Sequence, residues 1–333
     1  MQKLKVKSQK KNRLIFFFIF HFSFFIFNSS FSQQLPYYTQ FVSNDFMLNP
    51  AVAGTKRFLD TRMDVRTQWV GFESNPVTEG VSLNSRFMNG TMGAGGGFYR
   101  DQTGPTRRND LSLAYSYHLK FDDVELSLGV AGHMLSYLVD GSQLYMQIPI
   151  DNAINLTTTQ KKTVYDANSG ILLYNDRFHI GLSALDLTQP TVNFFPKTDT
   201  IHKSKIGIVT HVYGSVGYNW SGNPDWIFEN SLQVVYAAAN PITIDYNLRV
   251  HYLRKAFAGI AIRLHDAVAL QAGFTFHDEF QVIYSYDIVT SKLGQFQSGS
   301  HEIMLIWSSN LGTDKKGRYN NSRFKHEKYG YMF

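Results

Sequence analysis

Between Asp110 and Phe121 every second residue is large and apolar. Leu111, Leu113, Tyr115, Tyr117, Leu119 and Phe121 alternate with Ser112, Ala114, Ser116, His118 and Lys120. An extended chain points successive side chains to opposite faces, so this stretch has one greasy face and one polar face. The same period of two returns at Val124/Leu126/Leu128/Val130, Ile206/Ile208/Thr210/Val212, Ile242/Ile244/Tyr246/Leu248/Val250/Tyr252, Val268/Leu270/Ala272/Phe274/Phe276 and Phe280/Val282/Tyr284/Tyr286. No segment after residue 27 offers the roughly 20 apolar residues of a spanning helix. Many alternating strands behind an export signal are expected to form an all-β protein, a transmembrane antiparallel β-barrel of an outer membrane with about 14 strands.

The N-terminus reads as that export signal. Lys3, Lys5, Lys7, Lys10, Lys11 and Arg13 form a basic opening, and residues 14–27 are nearly all Leu, Ile and Phe. The apolar run is too short for a span, and Ser30-Phe31-Ser32 places small residues where a signal peptidase cuts, so residues 1–32 are expected to be a cleavable signal peptide. The leader also holds the charge imbalance. The chain has 32 Lys+Arg against 26 Asp+Glu; the leader's six basic residues have no acidic counterpart, so the remainder stands at 26 against 26. A neutral mature chain gives no electrostatic footprint for nucleic acid. It also has no cysteine, so an exported chain of this kind must be held by its core or its membrane.

Fourteen candidate strands follow, at 59–68, 78–87, 93–100, 109–121, 124–138, 164–174, 178–185, 206–218, 226–238, 243–253, 257–264, 267–276, 279–288 and 301–309. Bacterial barrels have short periplasmic turns and longer outer loops. With the first strand starting at the periplasm, the long connections 69–77, 101–108, 139–163, 186–205 and 289–300 fall outside. Residues 122–123, 175–177, 254–256 and 277–278 make short inner turns, and 219–225 is the exception. The expected layout is a signal peptide at 1–32, an N-terminal periplasmic or plug-like segment at 33–58, the barrel at 59–309 and a basic periplasmic tail at 310–333. In that tail six Lys and Arg face two acidic residues. It reads either as a solvated tail or as a basic arm for a periplasmic partner.

The sequence offers no catalytic constellation. His301 stands beside Glu302, but neighbours on a strand point to opposite faces, so polar contacts that fix the last strand are the expected role. The other histidines are scattered without metal-ligand spacing. No GxSxG, Walker-type or HExxH pattern occurs. The run Gly93-Ala94-Gly95-Gly96-Gly97 lacks a following helix and reads as a bend or close packing in a strand. No catalytic, cofactor-binding or metal-binding residue is expected, and the chain is not expected to be an enzyme.

Several short elements, in order, resemble the PorP/SprF family of type IX secretion and gliding proteins. They are Tyr38-Thr39-Gln40-Phe41 followed by Leu48-Asn49-Pro50-Ala51-Val52-Ala53-Gly54; Arg66-Thr67-Gln68-Trp69-Val70-Gly71-Phe72 followed by Pro76-Val77-Thr78; Asp101-Gln102-Thr103-Gly104-Pro105; Asp166-Ala167-Asn168-Ser169-Gly170-Ile171; and Gly299-Ser300-His301-Glu302-Ile303. The resemblance covers about residues 38–309. It implies a non-enzymatic outer-membrane barrel, without known cofactor, that supports export or surface anchoring of a secreted adhesin or other type IX cargo. Besides membrane lipid, the implied partners are a periplasmic ring or peptidoglycan-linked component. On the resemblance, Asn49, Pro50, Gly54, Arg66, Gln68, Trp69, Gly71, Asp101, Gly104, His301 and Glu302 are the candidate partner-binding or motif residues.

Physical chemistry adds roles to some of them. Asn49-Pro50 suits a tight turn, and the small residues after it let backbones approach closely. Residues 33–55 fit two readings equally, a segment tucked into or under the barrel and a plain periplasmic leader. Trp69 likewise fits two, an aromatic anchor at the membrane interface and a hot spot for a protein partner. The alternative function is a solute channel, because fourteen strands fall between tightly filled and open barrels.

Overall fold

The computed structural model describes residues 35–56, 58–143, 159–194, 205–223, 225–238, 240–277 and 279–309. The expected signal peptide, the tail 310–333 and much of the connections 139–163 and 186–205 lie outside those residues. Sixteen strands are formed among the described residues: β1 (Leu59–Thr67), β2 (Val77–Phe87), β3 (Met92–Thr103), β4 (Thr106–Phe121), β5 (Val124–Asp140), β6 (Thr159–Tyr174), β7 (Phe178–Leu185), β8 (Thr191–Asn193), β9 (Lys205–Gly207), β10 (His211–Asn223), β11 (Trp226–Ala237), β12 (Thr243–Tyr252), β13 (Ala256–Arg263), β14 (Ala267–Phe276), β15 (Phe280–Val289) and β16 (Ser300–Ser309). Fourteen close into an antiparallel barrel in which β1 pairs with β16, while β8 and β9 form a separate ribbon. Among the described residues no helix is long and apolar enough to cross a membrane.

The alternation sets the two faces of the wall. On β1, Asp60, Arg62, Asp64 and Arg66 are buried inside while Met63 and Val65 face out. On β16, Glu302, Met304 and Ile306 are inside while Ile303, Leu305 and Trp307 face out. Rings gather at the short-turn end: Trp226 and Tyr252 have centroids 4.7 Å apart, Trp220 and Phe228 5.2 Å, Phe276 and Phe280 5.7 Å. An apolar band edged by aromatic side chains, around a polar interior, is what a lipid-embedded barrel requires.

Three expected boundaries are corrected. Residues 101–108 are not a long outer loop; β3 and β4 run on until Thr103 pairs with Thr106, leaving a tight turn at Gly104-Pro105. The outward residues there, Arg107 and Asn109, are polar, so the period-two signal fades although the ladder continues. The strand expected from 206 starts at His211. Ile206 and Ile208 do bury one face, but against Leu135, Tyr137 and Val192 rather than in the barrel wall. Finally, 219–225 is no long inner connection. β10 reaches Asn223, opposite Trp226, with a register shift after Trp220 that absorbs the extra residues.

The glycine run falls within β3, where Gly93, Gly95 and Gly97 face the lumen. A Cβ at these positions would overlap Ala53, Phe46 and Met47 respectively. The run therefore marks close approach of another part of the chain to the wall.

Candidate functional site

Residues 35–56 are that other part. They lie inside the barrel as a 3-10 turn (Phe41–Ser43), one turn of α-helix (Asp45–Leu48) and a second 3-10 turn (Pro50–Val52). Asn49 starts the last turn: its side chain accepts a bond from Ala51 N at 2.9 Å, and Pro50 supplies the fixed φ of a first helical position. Short turns rather than a strand leave many backbone groups unpaired, so these need partners on the wall.

The wall supplies them on several sides. Ser127 Oγ donates to Ala51 O at 2.7 Å and Ser183 Oγ to Leu48 O at 2.6 Å. Ser116 Oγ donates to Ala53 O at 2.6 Å, with His118 Nε2 2.9 Å from the same oxygen. Asn84 Oδ1 accepts from Gly54 N at 3.1 Å. Across the lumen, Arg249 donates to Ser43 Oγ at 2.8 Å and Gln271 to Thr39 O at 3.4 Å. Apolar packing adds to this: Phe46, Ala51, Val52 and Ala53 pack with Ala114, Ala131, Leu172 and Tyr174.

Two ionic clusters hold the ends of the segment. Near the outer rim, Arg66 donates to Glu302 at 2.9 Å, to Asp287 at 2.8 Å and to Thr39 Oγ1 at 2.7 Å. Glu302 also accepts from Thr39 N at 2.8 Å and Gln40 N at 3.1 Å. Nearer the short-turn end, Arg62 pairs with Asp60 at 2.8 Å, with Asp45 and with Ser43 O, and Lys56 lies 3.2 Å from Asp60. Arg62, Arg66, Asp60, Asp287 and Glu302 are all almost fully buried. Such charges are tolerable only because each is paired and hydrogen-bonded.

The profile of the type IX secretion system membrane protein PorP/SprF family matches residues 30–307. The chain belongs to the PorP/SprF family. It is thus an outer-membrane β-barrel of the type IX secretion system, with membrane lipid and other components of that system as its partners. No curated protein matches it. Similar solved structures include a Pseudomonas aeruginosa FadL homologue (12% identity, 85% of this chain and 96% of that one, TM-score 0.48) and the Ralstonia pickettii toluene transporter TbuX (9%, 80% and 93%, 0.49). The Acinetobacter baumannii outer membrane protein Omp33 is also similar (6%, 77% and 100%, 0.44).

The PorP/SprF barrel gathers the sequence-derived candidates into two groups. Arg66, Gln68, Trp69, Gly71, Asp101, Gly104, His301 and Glu302 share the outer rim where β16, β1, β2 and β3 meet. There Trp69 N donates to Ser300 Oγ at 3.1 Å, Val70 N to Gly299 O at 2.9 Å and Asn75 Nδ2 to Gln68 O at 2.7 Å. Gly71 has φ +106° and Gly104 φ +54°; Gly104 N donates to Ser74 O at 3.2 Å, and Thr78 Oγ1 donates to Asp101 at 2.7 Å. Asn49, Pro50 and Gly54 form the second group, inside the lumen, where Asn49 Nδ2 donates to Ile171 O at 3.3 Å. Glu302 faces inward and His301 outward, where its Nδ1 lies 2.7 Å from Tyr284 Oη; the two do not act on one site. Sequence reasoning missed Asp45, Arg62, Asp287, Ser127 and Ser183, and it quoted Thr39 within the Tyr38–Phe41 element without giving it a role. The visible signal for part of this was Asp60-x-Arg62-x-Asp64-x-Arg66, charges of alternating sign on one face of a strand.

Proposed function

We propose that this PorP/SprF barrel is a plugged, non-enzymatic anchor of the type IX machinery. Its outer rim and loops hold a secreted cargo, an adhesin, at the cell surface. Its inner turns and the basic tail 310–333 meet a periplasmic ring or peptidoglycan-linked component, after removal of a signal peptide at 1–32. The observation that supports this reading is the lumen segment 35–56, bonded to inward residues of β1, β2, β4, β5, β7, β12, β14, β15 and β16. A lumen so occupied leaves the outer rim as a rigid protein-binding platform, where Trp69 and its loop stand at the rim. The test is a chromosomal deletion. Surface display of the cargo is expected to vanish while uptake of small hydrophilic dyes stays unchanged. Normal display in the deletion strain would reject the proposal.

A second reading, the solute channel, has one observation in its favour. A cavity of about 50 Å³ remains between the segment and β6, β7, β10 and β11, lined by Phe41, Leu48, Asn49, Leu172, Tyr213 and Gln233. The purified barrel in a planar bilayer separates the two: steady conductance favours the channel, and silence favours the anchor.

A further inference from the structure

Asp110 on β4, His133 on β5, Asp166 on β6 and Asp186 just after β7 converge inside the outer half of the barrel. His133 Nδ1 lies 2.6 Å from Asp110 Oδ2. An imidazole whose Nδ1–H is held by a carboxylate presents the Nε2 lone pair on its other side, the arrangement that orients histidine ligands in metal sites. His133 Nε2 has no hydrogen-bond partner among the described residues and lies 3.5 Å from Asp186 Oδ1. Asp166 is fixed through one oxygen, which accepts from Ala167 N at 2.6 Å and Thr188 N at 2.7 Å, while its Oδ2 has no such partner. Both carboxylate oxygens of Asp186 are in the same condition. One ligand atom from each of His133, Asp166 and Asp186 lies within 4.8 Å of the others. The exposures of these residues are 7%, 5% and 1%.

Charge points the same way. Three carboxylates (Asp110, Asp166, Asp186) face one guanidinium, Arg108, held over the rings of Tyr99 and Tyr137 at 5.7 and 5.5 Å. Among the described residues the carboxylates thus outnumber the guanidinium by two. A divalent cation neutralises that remainder and supplies the orphaned lone pairs with a partner.

We propose that His133 Nε2 and the carboxylates of Asp166 and Asp186 form a binding site for a divalent first-row transition-metal ion, with Asp110 as the carboxylate that orients His133. Imidazole nitrogen with carboxylate oxygen favours zinc-like ions over calcium and magnesium, which take all-oxygen sets. The ion would staple β5 and β6 to the start of the long connection after β7. Sequence spacing hides such a site, because its ligands come from separate strands.

The test uses the tag-free mature protein, folded in detergent and stripped with a chelator, titrated with Zn²⁺ by calorimetry. One equivalent per chain is expected. His133→Gln and Asp186→Asn lose it, Asp110→Asn weakens it about 10–100-fold as an orienting partner does, and the outward His301→Gln leaves it unchanged. X-ray absorption of the wild-type zinc complex gives a reading independent of variant folding, with a mixed imidazole and carboxylate shell expected. No saturable binding, binding unchanged in both ligand variants, an all-oxygen shell, or preference for Ca²⁺ or Mg²⁺ would each overturn the assignment. The first of these would mark the cluster as a proton-bridged Asp110–His133–Asp186 network.

Discussion

Arg66 on β1 and Glu302 on β16 stand directly opposite each other at the seam that closes the barrel, and the guanidinium donates to the carboxylate at 2.9 Å. The same carboxylate accepts the backbone N–H groups of Thr39 and Gln40. One ion pair therefore joins first strand, last strand and lumen segment.

Removing Arg66 leaves Glu302 as a buried charge without its ion-pair partner, and leaves Asp287 with only the more distant Arg263 at 3.9 Å. Arg66→Ala is expected to cost about 3–5 kcal/mol. The measurement is the temperature at which the folded band on an unboiled gel converts to the unfolded one, which should fall clearly below that of the wild type. An unchanged conversion temperature would show that the pair contributes little.

Gly129 on β5 faces the Pro50-Ala51 backbone so closely that a Cβ would overlap it. Gly129→Val is expected to expel the segment while leaving the barrel's strand content intact by circular dichroism. Limited proteolysis should then cut within 35–56, and bilayer conductance should rise. Protection equal to the wild type would refute the close-packing argument.

Ser127 and Ser183 donate to carbonyls of Ala51 and Leu48 that have little other access to a donor. Replacing both by Ala should cost about 1–3 kcal/mol at each site through the buried carbonyls left unpaired. Hydrogen exchange reads this locally: amides at 48–53 should exchange faster, while those of β12 to β16 keep their protection.

The phenol of Tyr38 is fully enclosed in the lumen segment, and burial holds its pKa well above the ordinary 10.0. The folded protein thus keeps a proton that the unfolded chain releases, so this contribution is complete below about pH 10 and is lost as pH rises above it. The Tyr38 hydroxyl has no hydrogen-bond partner among the described residues. Tyr38→Phe should therefore match or exceed wild-type stability at pH 7 and unfold at a higher pH in an alkaline titration. Earlier alkaline unfolding of the variant would contradict this.

The wall was legible because its signal is local. Residues 279–288 read as a strand from their own alternation and form β15 one residue later at each end, and the boundaries of β7 and β14 match the sequence expectation at both ends. The errors occurred where lipid ceased to impose the pattern. Arg107 and Asn109 continue β4 beyond the apolar band, and Ile206 and Ile208 show a period of two at and just after the β8–β9 ribbon rather than in the wall. The motif residues were legible as a set, but their grouping was not. Trp69 meets Ser300, and Asn49 meets Ile171, through contacts between residues far apart along the chain.

Sequence by itself determined a barrel wall: which side chains face lipid follows from each strand's alternation and needs no knowledge of any other strand. Only the tertiary structure decided what fills that wall. Thr39 reaches Glu302 across 263 residues, and Arg66 reaches Asp287 across 221. Those meetings exist because ring closure brings the ends of the chain together, and the alternating pattern that specifies each strand carries no record of which strand will stand opposite.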